Sequence, residues 1–373
     1  MSRPSAKRSA AALPRSRCPR ANARLSCGGD FPRAVQVGAF TLLAISFPLA
    51  RRHSRAFLVV LAITGTAFLG PEASQGRAAP LIVAAGDLCG TPTDCRPTAR
   101  LIGRISPRRV LALGDNAYPD GRLWQYRAYY RPNWGRFKAK TSPVPGNHDF
   151  HTPDAQGYRD YFGARAPAFY YSYNLGAWHL IALSGDINVS AGSPQERWLR
   201  RDLARHPRRC ILAYWHEPRF TSGTVHSSDP RFGPFWRALY AARADVVLNG
   251  HVHNYERFAR QSPSGRKTRK GIREFVIGTG GIGHYASGRP IKHSQVQNDT
   301  AFGVLKLRLL RRSYRWKFAR AAGPRFHDSG TTRCSRRPRT FRAAPAASSR
   351  TTGEAPSPLM LFHAHASELL RRR

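Results

Sequence analysis

Five short motifs carry side chains of the kinds that bind metal ions, and each follows a run of apolar residues. The candidate ligands are Asp87, Asp115, Tyr118, Asn147, His216, His251 and His253. Carboxylate, phenol, amide and imidazole groups suit iron, zinc or manganese better than a thiolate-bound structural zinc. One catalytic ion that keeps a position open cannot use this many ligands, whereas two ions that share a carboxylate can. The spacing therefore predicts a dinuclear metal centre.

Each residue taken singly has an ordinary explanation. An aspartate after a glycine usually forms a turn, and an isolated histidine is more often a hydrogen-bonded polar residue than a ligand. The order and setting of the motifs weigh against coincidence. The motifs are GD at 86–87, GDNAY at 114–118, GNHD at 146–149, WHEP at 215–218 and GHVH at 250–253. Every one of them stands directly after a predicted strand, which favours a common site.

The elements that must position these residues can be read from the apolar runs. Strands are predicted over 81–87, 110–115, 211–216 and 245–251, with a weaker one over 142–148, and helices over Gln195–Arg205 and Phe235–Ala244. Further strands are predicted over 273–278, 303–310 and 313–318, and the short spacing of the last two indicates an antiparallel part. Alternating strands and helices predict an α/β core. Ligands in such folds collect beyond the carboxyl ends of the strands, where the candidate residues stand.

These ordered motifs resemble those of calcineurin-like metallophosphoesterases. The tyrosine of GDNAY and the sequence HVHNYER at 251–257 are most similar to purple acid phosphatases. The resemblance implies a four-layer α-β-β-α sandwich, two mixed β-sheets flanked by helices, over a catalytic domain at 81–334. It also implies Fe(III) bound by Asp87, Asp115, Tyr118 and His253, and a divalent ion (Zn, Fe or Mn) bound by Asp115, Asn147, His216 and His251. Asp115 would bridge the two ions, and a metal-bound hydroxide would attack a phosphate monoester, as in an acid phosphatase.

Three further residues are candidates for catalysis beside the ligands. His148 is predicted to stabilise charge that develops on the phosphoryl oxygens. Asp149 is predicted to orient His148, with a surface-turn aspartate as the alternative. His226 is the candidate acid for the leaving alkoxide, with a solvated loop histidine as the alternative. Asn254 to Arg257 are interpreted as mainly structural, and Arg257 is expected to neutralise a carboxylate.

Two competing functions remain open, one from the same metal ions and one from the composition. The same ions would serve a phosphodiesterase or nucleotidase, because leaving-group specificity lies in loops. The formal net charge of +40 also suits a catalytically inactive envelope or polyanion-binding protein. The arginines are scattered and form no basic-aromatic stripes, so we expect no specific nucleic-acid recognition, and the expected partner is a phosphorylated small molecule.

The two ends of the chain differ from its middle in composition. Residues 1–80 are predicted to be an Arg/Ser-rich leader with a signal peptide or membrane anchor, and residues 335–373 a disordered tail rich in Arg, Pro and Ala. The apolar stretches 37–50 and 56–70 are each shorter than the roughly 18 residues of a spanning helix. The second follows the basic patch 51–55 and precedes small residues, as a signal peptide does. The protein is therefore predicted to be secreted or extracytoplasmic, with an uncleaved anchor and envelope association as the alternative.

Two of the six cysteines, Cys18 and Cys27, lie in the predicted leader. Four cysteines follow it: Cys89, Cys95, Cys210 and Cys334. An even number in an exported domain permits two disulfides. The short loop from Cys89 to Cys95 favours a local pair, which would leave Cys210 with Cys334. Four cysteines allow three pairings, so the sequence leaves the pattern open.

Overall fold

The structure is a computed structural model that describes residues 78–206 and 210–335. Several predicted segments lie outside these ranges: the signal peptide or anchor, with the apolar stretches 37–50 and 56–70, and the tail after residue 335. Among the described residues, no helix combines the length and apolar character needed to cross a membrane.

The first of two β-sheets contains the first three ligand-bearing strands, β1, β2 and β3. Its strand order is β13-β12-β11-β1-β2-β3. Strands β1, β2 and β3 are parallel, and β11, β12 and β13 continue the sheet in antiparallel fashion. The strand bounds are β1 Leu81–Ala85, β2 Arg109–Leu113, β3 Thr141–Val144, β11 Phe302–Leu309, β12 Ser313–Ala322 and β13 Ser329–Arg333. The predicted antiparallel pair is confirmed, with Leu305 opposite Phe318.

The second sheet has the order β10-β8-β9-β7-β6-β5-β4. Its four central strands β5, β6, β7 and β9 are parallel, and antiparallel strands complete both edges. The bounds are β4 Tyr171–Leu175, β5 Trp178–Ala182, β6 Cys210–Tyr214, β7 Val246–Asn249, β8 Tyr255–Phe258, β9 Arg273–Ile277 and β10 Ser294–Asn298. The carboxyl ends of its parallel strands form the rim from which the later motifs project.

Helices connect and cover the strands. They are α1 Arg96–Ile105, α2 Leu123–Gln125, α3 Gln156–Phe162, α4 Pro194–Arg205 and α5 Gly233–Ala241, with a π-helical turn at Tyr126–Tyr130 and 3₁₀ turns at Trp134–Lys140, Asp149–His151, Pro153–Ala155, Gly163–Arg165 and Pro230–Phe232. The predicted start of α4 is confirmed: the Ser193 hydroxyl accepts a hydrogen bond from the Glu196 N–H, with Pro194 at the first helical position. Helix α1 packs against β11 and β12.

Alternation along the strands divides the buried side chains between two cores. In β6, Leu212 and Tyr214 belong to the apolar cluster that the strands of both sheets share, whereas Ile211 and Ala213 belong to the cluster formed with α4 and α5. Successive side chains of a strand point to opposite faces, so this sheet is buried on both sides. The predicted architecture of two mixed sheets flanked by helices is confirmed.

Two disulfides close the described domain. Cys89 pairs with Cys95, and Cys210 pairs with Cys334. The first lies directly after the loop of Asp87, and the second ties the start of β6 to the segment after β13. The locally favoured pairing is therefore the one that the structure contains.

A polar network links the two sheets behind the last histidine motif. The Arg257 guanidinium donates two hydrogen bonds to the Asp328 carboxylate, from Nε to Oδ2 at 2.8 Å and from Nη2 to Oδ1 at 3.1 Å. The same carboxylate accepts hydrogen bonds from the Tyr255 hydroxyl at 2.6 Å and from the Trp316 indole at 3.2 Å. Arg257 therefore neutralises a carboxylate, as the sequence predicts, and the network holds β8 against the first sheet.

Candidate metal centre

The ends of five parallel strands bring the candidate ligands together. Asp87 and Asp115 each follow the last residue of their strand, β1 and β2, by two positions, and His216 and His251 follow β6 and β7 by the same interval. Asn147 stands three residues after β3. Parallel strands end at one edge of a sheet, and the two sheets face each other, so residues scattered over the sequence meet in one place.

One group of predicted ligands surrounds the Tyr118 hydroxyl. Its oxygen lies 3.1 Å from Asp87 Oδ1, 2.8 Å from Asp115 Oδ2 and 3.1 Å from His253 Nε2. The His253 Nε2 atom is 3.3 Å from Asp87 Oδ1. Phenol, imidazole and two carboxylates therefore converge within ordinary contact distance.

A second group adjoins the first through Asp115. Asp115 Oδ2 lies 3.3 Å from His216 Nε2, and His216 Nε2 lies 3.3 Å from His251 Nδ1. Asn147 Oδ1 is buried and accepts no hydrogen bond from the residues that the structure describes. The two groups share Asp115 Oδ2, and Asp115 is the residue that the family resemblance implies as the bridging carboxylate.

Four of the seven side chains project from left-handed backbone. The φ angles are 61° at Asp87, 50° at Asp115, 74° at His251 and 54° at His253. Such conformations are unfavourable for residues with a Cβ, and they cluster at functional sites where surrounding structure enforces them. Sequence patterns gave no indication of this strain.

Glycines beside the ligands allow the close approach. A Cβ on Gly114 would stand 2.4 Å from His216 Nδ1, and one on Gly146 would stand 2.3 Å from Asp115 Oδ1. Gly114 also has a φ of +91°. The glycine in GDNAY is therefore needed for both its conformation and the space it leaves.

Hydrogen bonds fix the orientation of two ligand rings. His216 Nδ1 lies 2.8 Å from the Leu113 carbonyl, and His253 Nδ1 lies 2.8 Å from the Gly283 carbonyl. When Nδ1–H donates to these carbonyls, the Nε2 lone pair of each ring points into the centre. The backbone N–H of His251 donates to Asp87 Oδ2 at 2.8 Å and so holds the second carboxylate oxygen.

Burial and mutual charge set the protonation of the centre. Burial alone would raise the pKa of Asp115, but the adjacent His216 holds it well below its ordinary value. Burial, together with the charge of His216, lowers the pKa of His251 to about 3. Burial and the Asp115 and Asp87 carboxylates raise the pKa of the Tyr118 phenol well above its usual range. A bound cation would reverse this last effect, because its charge favours the phenolate.

The arrangement fits two cations. Ligand atoms bound to one ion at about 2.0–2.3 Å lie roughly 3–4 Å from one another, and the contacts above fall near this range. The neighbouring carboxylates of Asp87 and Asp115 are only 0–1% exposed, so their negative charge requires a positive charge close by. Asn147 Oδ1 accepts no hydrogen bond from the described residues, so its lone pairs are free to bind a cation.

His148 lies next to the centre, but its supporting partner differs from the prediction. His148 Nε2 is 3.9 Å from Asp115 Oδ2, and Nδ1 is 2.6 Å from the Pro119 carbonyl. Asp149 does not orient the His148 ring: its carboxylate accepts hydrogen bonds from the Tyr126 hydroxyl at 2.6 Å and from Asn116 Nδ2 and the Gly146 N–H, both at 3.0 Å. Asp149 is fully buried, so the surface-turn alternative is wrong as well. It joins the GDNAY loop to the GNHD loop.

His226 stands over the second group of ligands. Its ring centroid is 3.9 Å from that of His251, and burial and His253 lower its pKa. The segment that carries it is anchored at Ser222, whose N–H and hydroxyl both donate to the buried Glu256 carboxylate, at 2.8 and 2.5 Å. His226 is therefore placed beside the centre by a fixed loop start rather than lying in open solvent.

Sequence reasoning missed two acidic residues beside the centre. Asp186 and Glu217 line a cleft of about 570 Å³ together with Asn147, His226 and His251. Burial and the neighbouring Glu217 carboxyl raise the pKa of Asp186 to about 9. A signal was present in the sequence: Asp186 follows Gly185 just after β5, which repeats the strand-then-GD pattern of Asp87 and Asp115.

Sequence comparisons agree with this geometry. Residues 80–255 match the family description "calcineurin-like phosphoesterase". Purple acid phosphatase 15 of Arabidopsis thaliana is 30% identical over 226 residues, which are 50% of this chain and 42% of that protein. Purple acid phosphatase 23 of the same plant is 30% identical over 169 residues, 39% of this chain and 36% of the relative. The chain thus spans less than half the length of these curated relatives.

Solved structures share the fold at low sequence identity. The purple acid phosphatase PPD1 from yellow lupin (Lupinus luteus) seeds superposes with a TM-score of 0.58 and 18% identity, covering 68% of this chain and 53% of that one. GAP50, the anchor in the inner membrane complex of Plasmodium, gives a TM-score of 0.57 and 14% identity, covering 70% and 90%. These two likenesses show that the fold is shared. The match of residues 80–255 to the calcineurin-like phosphoesterases, with purple acid phosphatases among the similar sequences, confirms the resemblance read from the sequence.

Proposed function

We propose that residues 81–334 are a catalytic domain that hydrolyses phosphate monoesters with two bound cations. The observation that carries the proposal is the position of Asp115 Oδ2, 2.8 Å from the Tyr118 hydroxyl and 3.3 Å from His216 Nε2. One carboxylate oxygen in contact with a phenol on one side and an imidazole on the other suits a bridge between two ions.

The donor sets differ on the two sides of Asp115. Asp87, Tyr118 and His253 would complete a site for Fe(III), which phenolate and carboxylate favour. Asn147, His216 and His251 would complete a site for a divalent ion, Zn, Fe or Mn. When bound, the two cations supply Lewis-acid charge at the phosphoryl oxygens and activate the water that attacks phosphorus.

The side chains around the cations complete the proposed chemistry. His148 is held at Nδ1 by the Pro119 carbonyl, so its Nε2 faces the centre and can stabilise charge on the phosphoryl oxygens. Asp149 supports it indirectly, by fixing the loop from which His148 projects. His226 would donate a proton to the leaving alkoxide, because it lies in the cleft beside His251.

Release of nitrophenol from p-nitrophenyl phosphate and from bis(p-nitrophenyl) phosphate tests the reaction. We expect kcat/KM for the monoester to exceed that for the diester by at least tenfold. The reverse order would indicate the alternative phosphodiesterase or nucleotidase activity. Absence of turnover in protein that contains two metal ions would contradict an enzymatic function and favour the polyanion-binding alternative.

We also propose that the protein is exported. The two disulfides support this, because such bonds persist in oxidising compartments. Amino-terminal sequencing of the mature protein tests it: we expect an end close after residue 70, with the protein in the extracytoplasmic fraction. A mature end before Arg51 would contradict the proposal, and recovery with membranes would indicate the uncleaved anchor.

A further inference from the structure

A second cleft lies at the opposite end of the first sheet from the candidate metal centre. Leu81 begins β1, Arg109 begins β2 and Lys140 directly precedes β3, and all three line this cleft of about 940 Å³. The candidate ligands instead follow the carboxyl ends of the same strands. Because a strand of this length spans roughly 16 Å, a ligand of the metal centre and a ligand of this cleft would occupy separate sites.

The second cleft, here called the basic cleft, has a strongly cationic lining. Of the fourteen described residues that line it, none is acidic and five are basic, namely Arg108, Arg109, Lys140, Arg165 and Arg308. Their exposed members stand around a floor to which the buried side chains of Pro107 and Leu175 contribute. The cleft therefore combines concentrated positive charge with a concave shape.

The register of the sheet forces the basic residues together. Arg308 on β11 lies opposite Leu81 on β1, and Arg109 on β2 lies beside Ile82 on the same strand β1. Lys140 directly precedes β3, which pairs with β2 on its other side. Since neighbouring strands lie about 4.8 Å apart, the fold delivers cations from adjacent strands to one edge of the sheet.

No carboxylate neutralises these side chains within the part of the chain that the structure describes. None of the five forms an ion pair there, and the one hydrogen bond that their side chains donate runs from Arg308 Nη1 to the Ala79 carbonyl at 3.3 Å. The Arg109 guanidinium carbon lies 5.3 Å from the centroid of the Tyr173 ring, a contact that positions the group but leaves its charge. Like charges gathered in one concavity repel one another, and a bound anion would offset that repulsion.

Charge and shape together favour a compact anion that carries several phosphate groups. Four of the five cations are guanidinium groups, which match phosphate oxygens with two parallel hydrogen bonds. Five positive charges exceed what a single phosphate balances, whereas a triphosphate carries a charge of similar size and opposite sign. A concave cleft suits a small ligand better than a flat membrane surface, and the lining has no aromatic side chain on which nucleic-acid bases could stack.

We propose that the basic cleft is a binding site for oligophosphates, that is, for linear anions of several linked phosphate groups. The exposed side chains of Arg108, Arg165 and Arg308 contact the outer phosphate groups, and Arg109 and Lys140 hold the end of the anion that enters between the strands. Binding at this site breaks no bond. The inference does not depend on the proposed phosphoesterase function, because no candidate metal ligand lines the basic cleft.

Acetylation of Lys140 in the metal-loaded protein tests the inference, because Lys140 is the only lysine among the described residues that line the basic cleft. Sulfosuccinimidyl acetate labels exposed amines, and peptide mass spectrometry measures the labelling rate at each lysine. A titration with inorganic tripolyphosphate should slow the labelling of Lys140 about fivefold at a concentration about four times the Kd. Orthophosphate at the same concentration should slow it less than about twofold, because it brings fewer charges. Lys317 is the reference, since it is exposed on β12 outside the cleft, and neither anion should change its labelling.

Two double variants separate the cleft from the general charge of the protein. Arg108→Gln with Arg165→Gln removes two exposed cations of the basic cleft, and the slowing at Lys140 should fall below about twofold. The matched control, Arg266→Gln with Arg269→Gln, removes the same charge from an exposed loop outside the cleft and should keep the fivefold slowing. Both variants should hydrolyse p-nitrophenyl phosphate as the unmodified protein does, which shows that they fold.

Three results would overturn the inference: no slowing by tripolyphosphate, equal slowing at Lys140 and Lys317, or slowing that survives the loss of Arg108 and Arg165. Slowing of Lys140 by phosphatidylglycerol vesicles or by duplex DNA, without any by tripolyphosphate, would overturn it in favour of a membrane or nucleic-acid surface. An active phosphoesterase whose Lys140 is not protected by tripolyphosphate fails this inference and leaves the proposed function intact.

Discussion

Gly114→Ala is a sharp test of how the backbone shapes the centre. The new Cβ would stand 2.4 Å from His216 Nδ1 and 2.6 Å from His216 Cγ, at a residue whose φ is +91°. The left-handed backbone costs about 1–2 kcal/mol for a residue with a Cβ, and overpacking against a rigid neighbour costs about 1–3 kcal/mol more. We expect the free energy of unfolding to fall by roughly 2–5 kcal/mol.

The control for this substitution is Gly192→Ala. Gly192 also has a positive φ of +78°, but an added Cβ there would meet no atom within 4 Å. The free energy of unfolding of Gly192→Ala should fall only by the cost of the left-handed backbone, about 1–2 kcal/mol. The difference between the variants, about 1–3 kcal/mol, then measures the clash with His216.

Denaturant unfolding and metal analysis of both variants provide the readout. Gly114→Ala must displace the His216 ring, so it should also lose bound metal, whereas Gly192→Ala should keep it. Equal destabilisation and equal metal content in the two variants would refute the argument that Gly114 is required by the position of His216.

Three further predictions concern colour, the leaving group and pH. Tyr118→Phe should abolish the violet colour of iron-loaded protein, since the phenolate–Fe(III) contact absorbs visible light; an unchanged visible spectrum would contradict ligation by Tyr118. His226→Ala should lower kcat/KM by about 10²–10⁴-fold for alkyl phosphates and much less for activated aryl phosphates, which need no acid; equal losses on both would exclude His226 from that role. Burial raises the pKa of Asp245 to about 7, against about 3.9 in an unfolded chain. Between about pH 4 and pH 7 the folded protein keeps a proton that the unfolded chain releases, so the free energy of unfolding falls as pH rises, by on the order of 4 kcal/mol. Asp245→Asn should remove this component from the pH profile, and parallel profiles for the two proteins would contradict it.

The sequence was sufficient to predict the ligand-bearing strands and the convergence of their ends. Strands β1, β2, β6 and β7 are short and almost wholly apolar, because they are buried on both faces, and a candidate ligand follows the end of each by two residues. The prediction needed only this local pattern and the rule that parallel strands end at one edge. The chain order of the motifs then gave the family resemblance.

Elements without such a pattern were missed. Strand β4 is half-exposed along most of its length and begins with alternating Tyr and Ser rather than aliphatic residues. Helix α1 has an Arg-Pro start and few apolar residues, and its buried residues Thr98, Ala99 and Ile102 form no apolar run, so a search for apolar runs passes over it. The fold places both by tertiary packing, which local propensity does not encode.

The prediction that Asp149 orients His148 was wrong because it, too, rested on local sequence alone. Asp149 is adjacent to His148 in the sequence, but adjacent side chains diverge in the short 3₁₀ turn that begins at Asp149. Its carboxylate instead accepts hydrogen bonds from Asn116 in the loop after β2 and from Tyr126 in the π-helical turn. Asp186 was missed because β5 itself was not recognised, so the GD after it had no strand to follow.

Metal content of the purified protein tests the central claim most directly. Elemental analysis should find about two metal ions per chain, and Asp115→Asn should lose both, because Asp115 touches both groups of ligands. Asp120→Asn, a change at a partly exposed aspartate of the same loop, should keep both ions. Fewer than one ion per chain in the unmodified protein, or an unchanged content in Asp115→Asn, would contradict a dinuclear centre at this site.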